Sequence, residues 1–332
     1  MGALISLVAV AGLALLAAVG ASAGGGPRFV LGVIVPGVAF AVFLGGIIYR
    51  VVRWARAPVP FRIPTTAGQE KSLPWIRHNE LEAPSGLPGV IGRMALEVLA
   101  FRSLFRNTRV ELLPEKEKVN YIADKALWAA ALMFHWSMFI IVLRHFRFFV
   151  EPVPAWVQGL QTVDGFFQVG LPVYYVTTFL MVVGLAYLLA RRFFDHKVKY
   201  LSLASDYFAL YLLLGIALTG FLMRHVEKID VVQVKAAIAG WASFQPVPPV
   251  GVGLWYFVHI ALVSMLLVYF PFSKLLHAPG VFLSPTRNLV NSNRIRRHIN
   301  PWNPDVQGHS YAEWEDEFRD KLKASGYALE KE

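Results

Sequence analysis

Six runs of apolar residues, each close to the length that crosses a lipid bilayer, constrain this sequence more than any other feature. A transmembrane helix needs about 20 mostly apolar residues. Hydrophobic residues make up 56% of the chain and charged residues 16%, against about a quarter in ordinary soluble domains. We therefore predict an all-α fold, a polytopic membrane bundle of about six transmembrane helices. The runs cover approximately residues 3–23, 29–49, 125–146, 171–190, 206–223 and 253–276.

The distribution of basic residues predicts the orientation of the bundle. The net charge is +10, which in a soluble protein would suggest a nucleic-acid partner. In membrane proteins, however, Lys and Arg concentrate in cytoplasmic loops. The segment 50–56 and the loop "RRFFDHKVK" are the richest in basic residues, whereas the longer loops 144–170 and 224–250 carry few. We predict a multi-pass protein of the cytoplasmic membrane with both termini inside and no nucleic-acid partner.

The first apolar run has two interpretations. It ends in "ASA", a pattern typical of signal-peptide cleavage sites. No Lys or Arg precedes the run, although signal peptides usually begin with positive charge. We therefore favour a retained helix, with cleavage as the alternative.

Composition divides the chain into four parts. Two N-terminal spans occupy residues 1–50, and a proline-rich cytoplasmic segment follows at 51–124. Four spans form a central unit at 125–278, and a polar cytoplasmic tail covers 279–332. The second part contains apolar residues at helical spacing between Val90 and Phe105, with arginines among them. This pattern predicts a basic amphipathic helix, either at the membrane interface or packed on a soluble partner.

The tail contains a second amphipathic helix. Ser310 and Glu313 form a capping-box pattern at its start, and Gly326 suits its C-terminal cap. Aromatic and apolar side chains share one face, namely Tyr311, Trp314, Phe318 and Leu322. We interpret this face as a docking surface for a soluble subunit; folding back onto the chain's own loops is the alternative.

The chain contains no cysteine. It therefore lacks the residues needed for its own iron–sulfur cluster, for a disulfide, or for thioether attachment of haem. Any redox cofactor must be held by histidine or without covalent bonds.

Two predicted spans each carry a pair of histidines. His135 and His145 lie ten residues apart on the third span, and His259 and His277 lie eighteen apart on the sixth. Ionisable residues within spans indicate functional sites when a partner can be named. The two spans run in opposite directions, which sets His145 opposite His259 and His135 opposite His277. Two bis-histidine pairs at two depths predict axial ligation of two stacked haems b.

Helix geometry adds a condition to this prediction. Ten residues rise about 15 Å along a helix and eighteen rise about 27 Å. Two straight helices would therefore not bring both pairs to the same level. Pro271, between His259 and His277, provides a place for a kink. The pairing therefore predicts a bend of the sixth span near Pro271.

Three arginines lie near the distal histidines and have two interpretations. Arg144, Arg147 and Arg224 lie where the propionates of a haem between His145 and His259 would emerge. Anchoring of the helices at the membrane interface is the competing explanation.

The histidine spacings resemble those of the membrane cytochrome b, or gamma, subunit of respiratory nitrate reductase over residues 120–280. The tail from "SPTRNLVNSNRIRRHINPWNP" onward and the proline-rich insertion resemble the DsrM family, the membrane cytochrome b subunits of DsrMKJOP complexes in dissimilatory sulfur metabolism. The second resemblance extends over nearly the whole chain.

The resemblance implies an electron-transfer subunit of a membrane quinol oxidoreductase. Such a subunit holds two haems b and exchanges electrons between a quinone, menaquinone in particular, and DsrK, a cytoplasmic iron–sulfur subunit. His135 and His277 would then ligate the iron of the haem nearer the cytoplasm, and His145 and His259 that of the distal haem. Other DsrMKJOP subunits and membrane lipid are the remaining expected partners.

The sequence departs from the nitrate reductase pattern at the quinone site. That family has a lysine about twenty residues beyond the second histidine, whereas this region reads "QTVDGFFQVG". Arg144, Asp164 and Gln168 are the substitutes we name as quinone-site candidates; an ordinary polar outer loop is the alternative.

Two other function classes remain open on the residues alone. Intramembrane histidines can relay protons or bind a metal in a transporter, although relays usually include carboxylates and these spans hold few. A membrane anchor without a cofactor is the third possibility.

Overall fold

Six helices long and apolar enough to cross a membrane make up most of the fold. The computed structural model describes residues 1–57, 78–247, 249–290 and 308–331. The prediction of a polytopic helical bundle is confirmed, and this is a multi-pass membrane protein. The helices are α1 (Gly2–Ser22), α2 (Gly25–Ala55), α3 (Lys125–Phe148), α4 (Val176–Phe194), α5 (Ala204–Glu227) and α6 (Leu254–Phe272).

Helix α5 lies at the centre of the bundle. One of its faces carries Leu212 and Ile216, which pack with α1 and α6 in a buried cluster. Another carries Leu213 and Ala217, which pack on Met181 of α4. Helix α4 packs in turn on α3, and α2 packs on α6. The four-part division of the chain stays a prediction, although α1 belongs to the same core as the later helices.

Helix α1 contributes buried residues to that core. Val10 and Ala17 pack against Val258 and Leu262 of α6. The polar Ser6 is buried as well, and its hydroxyl donates to the carbonyl oxygen of Ala204 at 2.7 Å. The retention of this helix, as opposed to its cleavage, stays a prediction.

The two histidine-bearing helices, α3 and α6, are not packed side by side within the described part of the chain. Helices α4 and α5 connect them instead. Because close-packed interiors leave few voids, a separation between two facing helices is a place where a prosthetic group fits. This arrangement positions the candidate site.

The sixth span is broken where the histidine pairing requires a bend. Regular α-helix ends at Tyr269, and a 3₁₀ turn Phe270–Phe272 contains Pro271. Ser273 is extended, with φ −112° and ψ 177°, before a second 3₁₀ turn leads to His277. The predicted bend is therefore present. His277 lies beyond the break, so it does not share one straight helix with His259.

The segment before α3 contains a shorter helix than the spacing predicted. The helix Leu87–Leu99 is followed by Phe101 with a left-handed φ of 51° and then by a turn, Arg102–Phe105. The prediction of one helix through Phe105 is therefore wrong at Phe101. The indole N–H groups of Trp128 and Trp136 in α3 donate to the last carbonyls of this helix, those of Ala100 and Leu99.

The arginines of this segment do not form an open basic face. Arg93 is buried, its guanidinium donates to the carbonyl oxygen of Glu82, and burial lowers the pKa of Arg93. Arg102 and Arg106 both pair with the Glu82 carboxylate. The helix therefore lies in a small folded unit next to α3, whereas the sequence pattern predicted a helix at the membrane interface or packed on a soluble partner.

A β-hairpin, which the sequence analysis did not predict, joins this unit to α3. Strands β1 (Thr108–Leu113) and β2 (Lys118–Ala123) are antiparallel, with Val110 opposite Tyr121 and Leu112 opposite Val119. These four apolar side chains share one face and are exposed. The Lys197 ammonium donates to the Val110 carbonyl oxygen at 2.6 Å and ties the hairpin to the loop after α4.

The C-terminal helix has the predicted capping box. The Ser310 hydroxyl accepts from the Glu313 N–H, and the Glu313 carboxylate accepts from the Ser310 N–H. Tyr311 and Trp314 remain exposed, which leaves the docking interpretation a prediction. The shorter helices are Ala155–Asp164, His196–Leu201, Val231–Ala242, His277–Gly280, Pro285–Asn288 and Tyr311–Ala324.

Candidate functional site

One predicted histidine pair, called here the proximal pair, is in direct contact. The ring centroids of His135 and His277 are 5.8 Å apart and the ring planes are inclined at 77°. Metal–imidazole bonds are about 2 Å long, so two imidazoles on one iron have ring centres roughly 6 Å apart. Phe101 and Phe134 lie edge-on to His135, with centroids at 5.0 and 4.8 Å. The observed spacing suits two axial ligands in an aromatic setting.

The other predicted pair, called here the distal pair, lies at the opposite ends of α3 and α6. His145 is close enough to His259 to interact with it electrostatically. His145 also contacts Phe148, with ring centroids 5.6 Å apart. The structure therefore brings each predicted histidine to its predicted partner, at two levels of the bundle.

All four imidazoles use the same nitrogen to contact the protein. The Nδ1 atoms of His135 and His145 lie 2.7 Å from the carbonyl oxygens of Ala131 and Ile141, one turn earlier in α3. Nδ1 of His277 lies 3.0 Å from the carbonyl oxygen of Lys274. An Nδ1–H that donates to a carbonyl leaves Nε2 unprotonated, which is the form that ligates a metal.

His259 uses its Nδ1 to contact a side chain in place of a backbone carbonyl oxygen. Its Nδ1 lies 3.0 Å from the Thr219 hydroxyl, which itself donates to the Gly215 carbonyl oxygen at 2.8 Å. When the hydroxyl donates its one proton to the Gly215 carbonyl oxygen, it accepts from Nδ1–H of His259, which leaves Nε2 of His259 unprotonated. Gly220 leaves room for the ring, since a Cβ there would lie 3.2 Å from Cε1 of His259.

The exposure of the four rings, the separation of their helices and the donor atoms together suit a bound haem. The four rings are half-buried or exposed rather than packed into a core. The helices that carry them face each other without packing, as described above. The described residues contain no group of three or more His, Asp or Glu able to hold a metal ion. Bis-histidine ligation of haem fits this donor set.

Arg144 and Asp164, two of the quinone-site candidates, bind each other. Nε of Arg144 lies 3.0 Å from Oδ2 of Asp164, and both side chains are buried. Asp164 also accepts from the Thr177 N–H at 2.8 Å and from the Thr177 hydroxyl at 2.6 Å. This network fixes the loop before α4 to the end of α3. Sequence reasoning missed Thr177, which lies in an apolar span with no local signal of a polar partner.

Two arginine side chains lie against the aromatic ring of Tyr175. The guanidinium carbons of Arg144 and Arg224 lie 3.7 and 4.5 Å from the centre of its ring. The Nε atoms of Arg147 and Arg224 are buried without a hydrogen-bond partner in the described part of the chain. Buried orphan donors of this kind suit the carboxylates of haem propionates, one of the two interpretations given above.

The remaining predicted residue, Gln168, lies apart from this network. It has a left-handed φ of 50° and an exposed side chain. The structure therefore joins Arg144 to Asp164 and leaves Gln168 on the surface of the same loop.

The other histidines occupy separate positions. His225, at the end of α5, stacks on Tyr174 with ring centroids 4.2 Å apart. His78 and His309 lie near glutamates. His196 starts a short helix, and His298 lies outside the described residues.

Comparison with known proteins places these features in a family. The sequence profile described as nitrate reductase gamma subunit matches residues 89–298, which include all four paired histidines. A protein of Archaeoglobus fulgidus named Hdr-like menaquinol oxidoreductase cytochrome b-like subunit is 44% identical over 282 residues, covering 83% of this chain and 84% of that protein. Its namesake from Archaeoglobus profundus is 40% identical over 279 residues, covering 82% of each. The nitrate reductase gamma chain of Bacillus subtilis is 25% identical over 219 residues, covering 63% of this chain and 96% of that one.

Proposed function

This chain belongs to the nitrate reductase gamma subunit family, and on that premise we propose that it is the dihaem cytochrome b subunit of a membrane quinol oxidoreductase complex. A membrane quinone-linked electron-transfer role agrees with the names of the relatives, two of which are menaquinol oxidoreductase subunits. The observation that carries the proposal is the contact of His135 with His277, across two helices that do not pack together.

Two haems b are the proposed cofactors. His135 and His277 would ligate one iron and His145 and His259 the other, each through Nε2. Haem iron supplies reversible one-electron transfer in this setting. The chain holds each imidazole by its Nδ1 contact, which fixes both the tautomer and the ring orientation. Arg147 and Arg224 would pair with propionates at the distal level.

The proposed electron path runs between a quinone at the distal end and a soluble partner at the proximal end. With both termini cytoplasmic, as the basic loops predict, the proximal end faces the cytoplasm. The proposed partner is an iron–sulfur subunit resembling DsrK, within a complex resembling DsrMKJOP of dissimilatory sulfur metabolism. The C-terminal helix, with Tyr311 and Trp314 exposed, is the proposed docking element.

The buried Arg144–Asp164 pair has a proposed positioning role at the quinone end. Its acceptor contacts with Thr177 hold the first turn of α4 against the end of α3. Gln168 stays a quinone-site candidate on the adjacent exposed loop.

A visible spectrum of the purified chain tests the proposal. We expect a reduced α-band of b-type haem with about two haems per chain. His145→Ala or His259→Ala should remove one haem, and His135→Ala or His277→Ala the other. His309→Ala, which changes an exposed histidine outside both pairs, is the matched control. Absence of haem would leave the transporter or anchor function, and a substitution that removed neither haem would overturn the pairing.

A further inference from the structure

An apolar groove runs between α4 and α5 in the distal half of the bundle. Its volume is about 390 Å³, and its lining includes Phe179, Val183, Leu218 and Phe221. No charged side chain lines it among the described residues, and Thr178 provides its polar atoms. Phe179, Val183 and Leu218 are exposed on the lateral surface of the bundle, so the groove opens toward lipid.

Two rings that line the groove, Phe179 and Phe221, contact a cluster of aromatic rings at the start of α4 and the end of α5. Tyr174 lies 6.0 Å from Phe179 and 6.0 Å from Phe221 by ring centroids, and 4.2 Å from His225. His225 in turn contacts Phe221 at 4.7 Å. The apolar groove therefore adjoins two rings with polar atoms, the phenol of Tyr174 and the imidazole of His225.

The groove lies one helix away from the distal histidine pair. Phe221 lines the groove. The preceding residue, Gly220, faces His259, since a Cβ added at Gly220 would lie 3.2 Å from Cε1 of His259. Thr219, one residue earlier, contacts Nδ1 of the same ring. The width of an α-helix is about 10 Å, which sets the scale of this separation.

We propose that this groove binds a polyprenyl quinol, an inference that rests on the proposed function and names the site of its substrate. The isoprenoid tail lies along Val183 and Leu218, and the quinol ring stacks at Tyr174 and His225, where its hydroxyls meet polar atoms. Access from the bilayer suits a lipid-soluble ligand. A phospholipid suits the site less, because no charged side chain among the described residues lines the groove to meet a phosphate group.

Photochemical labelling tests the site without electron transfer. The full chain, purified with its cofactors into lipid nanodiscs, is exposed to an azido-menaquinone that carries an isoprenoid tail, and the labelled peptides are mapped. We expect label on Val176–Phe194 and Ala204–Glu227, with competition by unlabelled menaquinone but not by added phospholipid. Label confined to other segments, such as 155–168, would overturn the proposal, and so would competition by phospholipid alone.

Substitutions test the binding of the quinol's isoprenoid tail and the binding of its ring separately. Val183→Trp fills the groove and should reduce labelling by about tenfold, whereas Val19→Trp, at an exposed apolar position of α1, should leave it within about twofold. His225→Phe keeps an aromatic ring against Tyr174 but removes both nitrogens, and it should weaken labelling severalfold. Unchanged labelling in Val183→Trp would contradict the groove as the binding site. Unchanged labelling in His225→Phe would contradict the proposed position of the quinol ring.

The reduced spectrum of each variant keeps this inference separate from the proposed function. A chain with two haems that is labelled elsewhere would contradict only the groove. A chain without haem would contradict the proposed function, whereas its labelling pattern would still report on the groove.

Discussion

At the scale of single residues, the site depends on the contacts that hold Nδ1 of each imidazole. The sequence predicted which four histidines pair, because their spacing and the opposite directions of the spans restrict the choices. It did not reveal the contact of Thr219 with His259, since the two residues are 40 positions apart and the contact depends on how α5 and α6 pack. Long-range polar contacts of this kind leave no periodic pattern in a sequence.

The space beside His259 gives a prediction at this scale. In Gly220→Ala the added Cβ would approach Cε1 of His259 to 3.2 Å, tighter than most real contacts, so the imidazole must shift. We expect reduced haem at the distal level and an unchanged proximal haem, measured by redox titration of the reduced α-band. Gly12→Ala is the control, because no atom lies within 4 Å of its added Cβ. Equal spectra for both variants would contradict a close fit at Gly220.

At the scale of elements, the break in α6 determines where His277 lies. Pro271 is buried against α2, and Gly46 allows that approach, since a Cβ there would lie 2.7 Å from Cβ of Pro271. The sequence predicted the bend from Pro271 but not its support by Gly46, which depends on the packing of α2 against α6.

Adjacent glycines of α2 provide a matched test of this support. Gly46→Ala should push Pro271 away and displace His277, so we expect loss or weakening of the proximal haem with the distal haem retained. Gly45→Ala, one position earlier, adds a methyl group where nothing lies within 4 Å, and its spectrum should match that of the unmodified chain. Haem stoichiometry and redox titration measure both effects. Loss of the distal haem instead would contradict the assignment of His277 to the proximal level.

The C-terminal helix gives a pH-dependent prediction. The Glu315 carboxylate is buried and accepts from the backbone N–H groups of Glu330 and Lys331 at 2.7 and 3.1 Å. The first of these contacts is the main cause of a lowered pKa of Glu315. A lowered folded pKa means that the stabilisation is present above the unfolded value of about 4.3 and is lost as the pH falls through the folded pKa.

Hydrogen exchange of residues 327–331 measures this effect. We expect protection at pH 6 that disappears on acidification below about pH 4. Glu315→Gln should lack the protection at both pH values, because the amide is a weaker acceptor than a carboxylate. Glu317→Gln, at an exposed position near His309, should behave like the unmodified chain. Protection in Glu315→Gln at pH 6 would contradict the role of the carboxylate.

Two other elements show why local patterns failed before α3. Helical spacing continued through Phe101, but the left-handed backbone there lets two tryptophans of α3 bind the helix end. The hairpin left a readable signal in the alternation of Val110 and Leu112 with polar residues, repeated in Val119 and Tyr121. That signal is short, and it lies in a region where the longer helical pattern dominated the prediction.

At the scale of the whole molecule, the sequence predicted six helices because apolar length alone indicates a span. The central position of α5 and the separation of α3 from α6 could not be predicted in the same way, since both depend on which helical faces meet. Membrane orientation is a third property, predicted here from basic loops and independent of the packing.

The absence of cysteine makes that orientation directly measurable. Single cysteines replace Gln168 on the distal loop and Lys118 on the hairpin, both exposed positions. We expect a membrane-impermeant maleimide to label Gln168→Cys in intact cells and Lys118→Cys only after permeabilisation. The unmodified chain, which has no thiol, is the control. The reverse labelling pattern would mean that the bundle has the opposite orientation, with the proposed quinone end on the cytoplasmic side.

The common Nδ1 contacts of the four imidazoles have a consequence for the speed of electron transfer. Imidazoles held by backbone carbonyls and by Thr219 resist rotation, which matters if a metal that they bind changes its charge. A rigid ligand set keeps the reorganisation energy of each redox step small, since little nuclear motion accompanies the change. If the four imidazoles ligate haem as proposed, the helices favour rapid electron exchange in both directions, and the relative potentials of the quinone and the proposed soluble partner decide which way electrons flow.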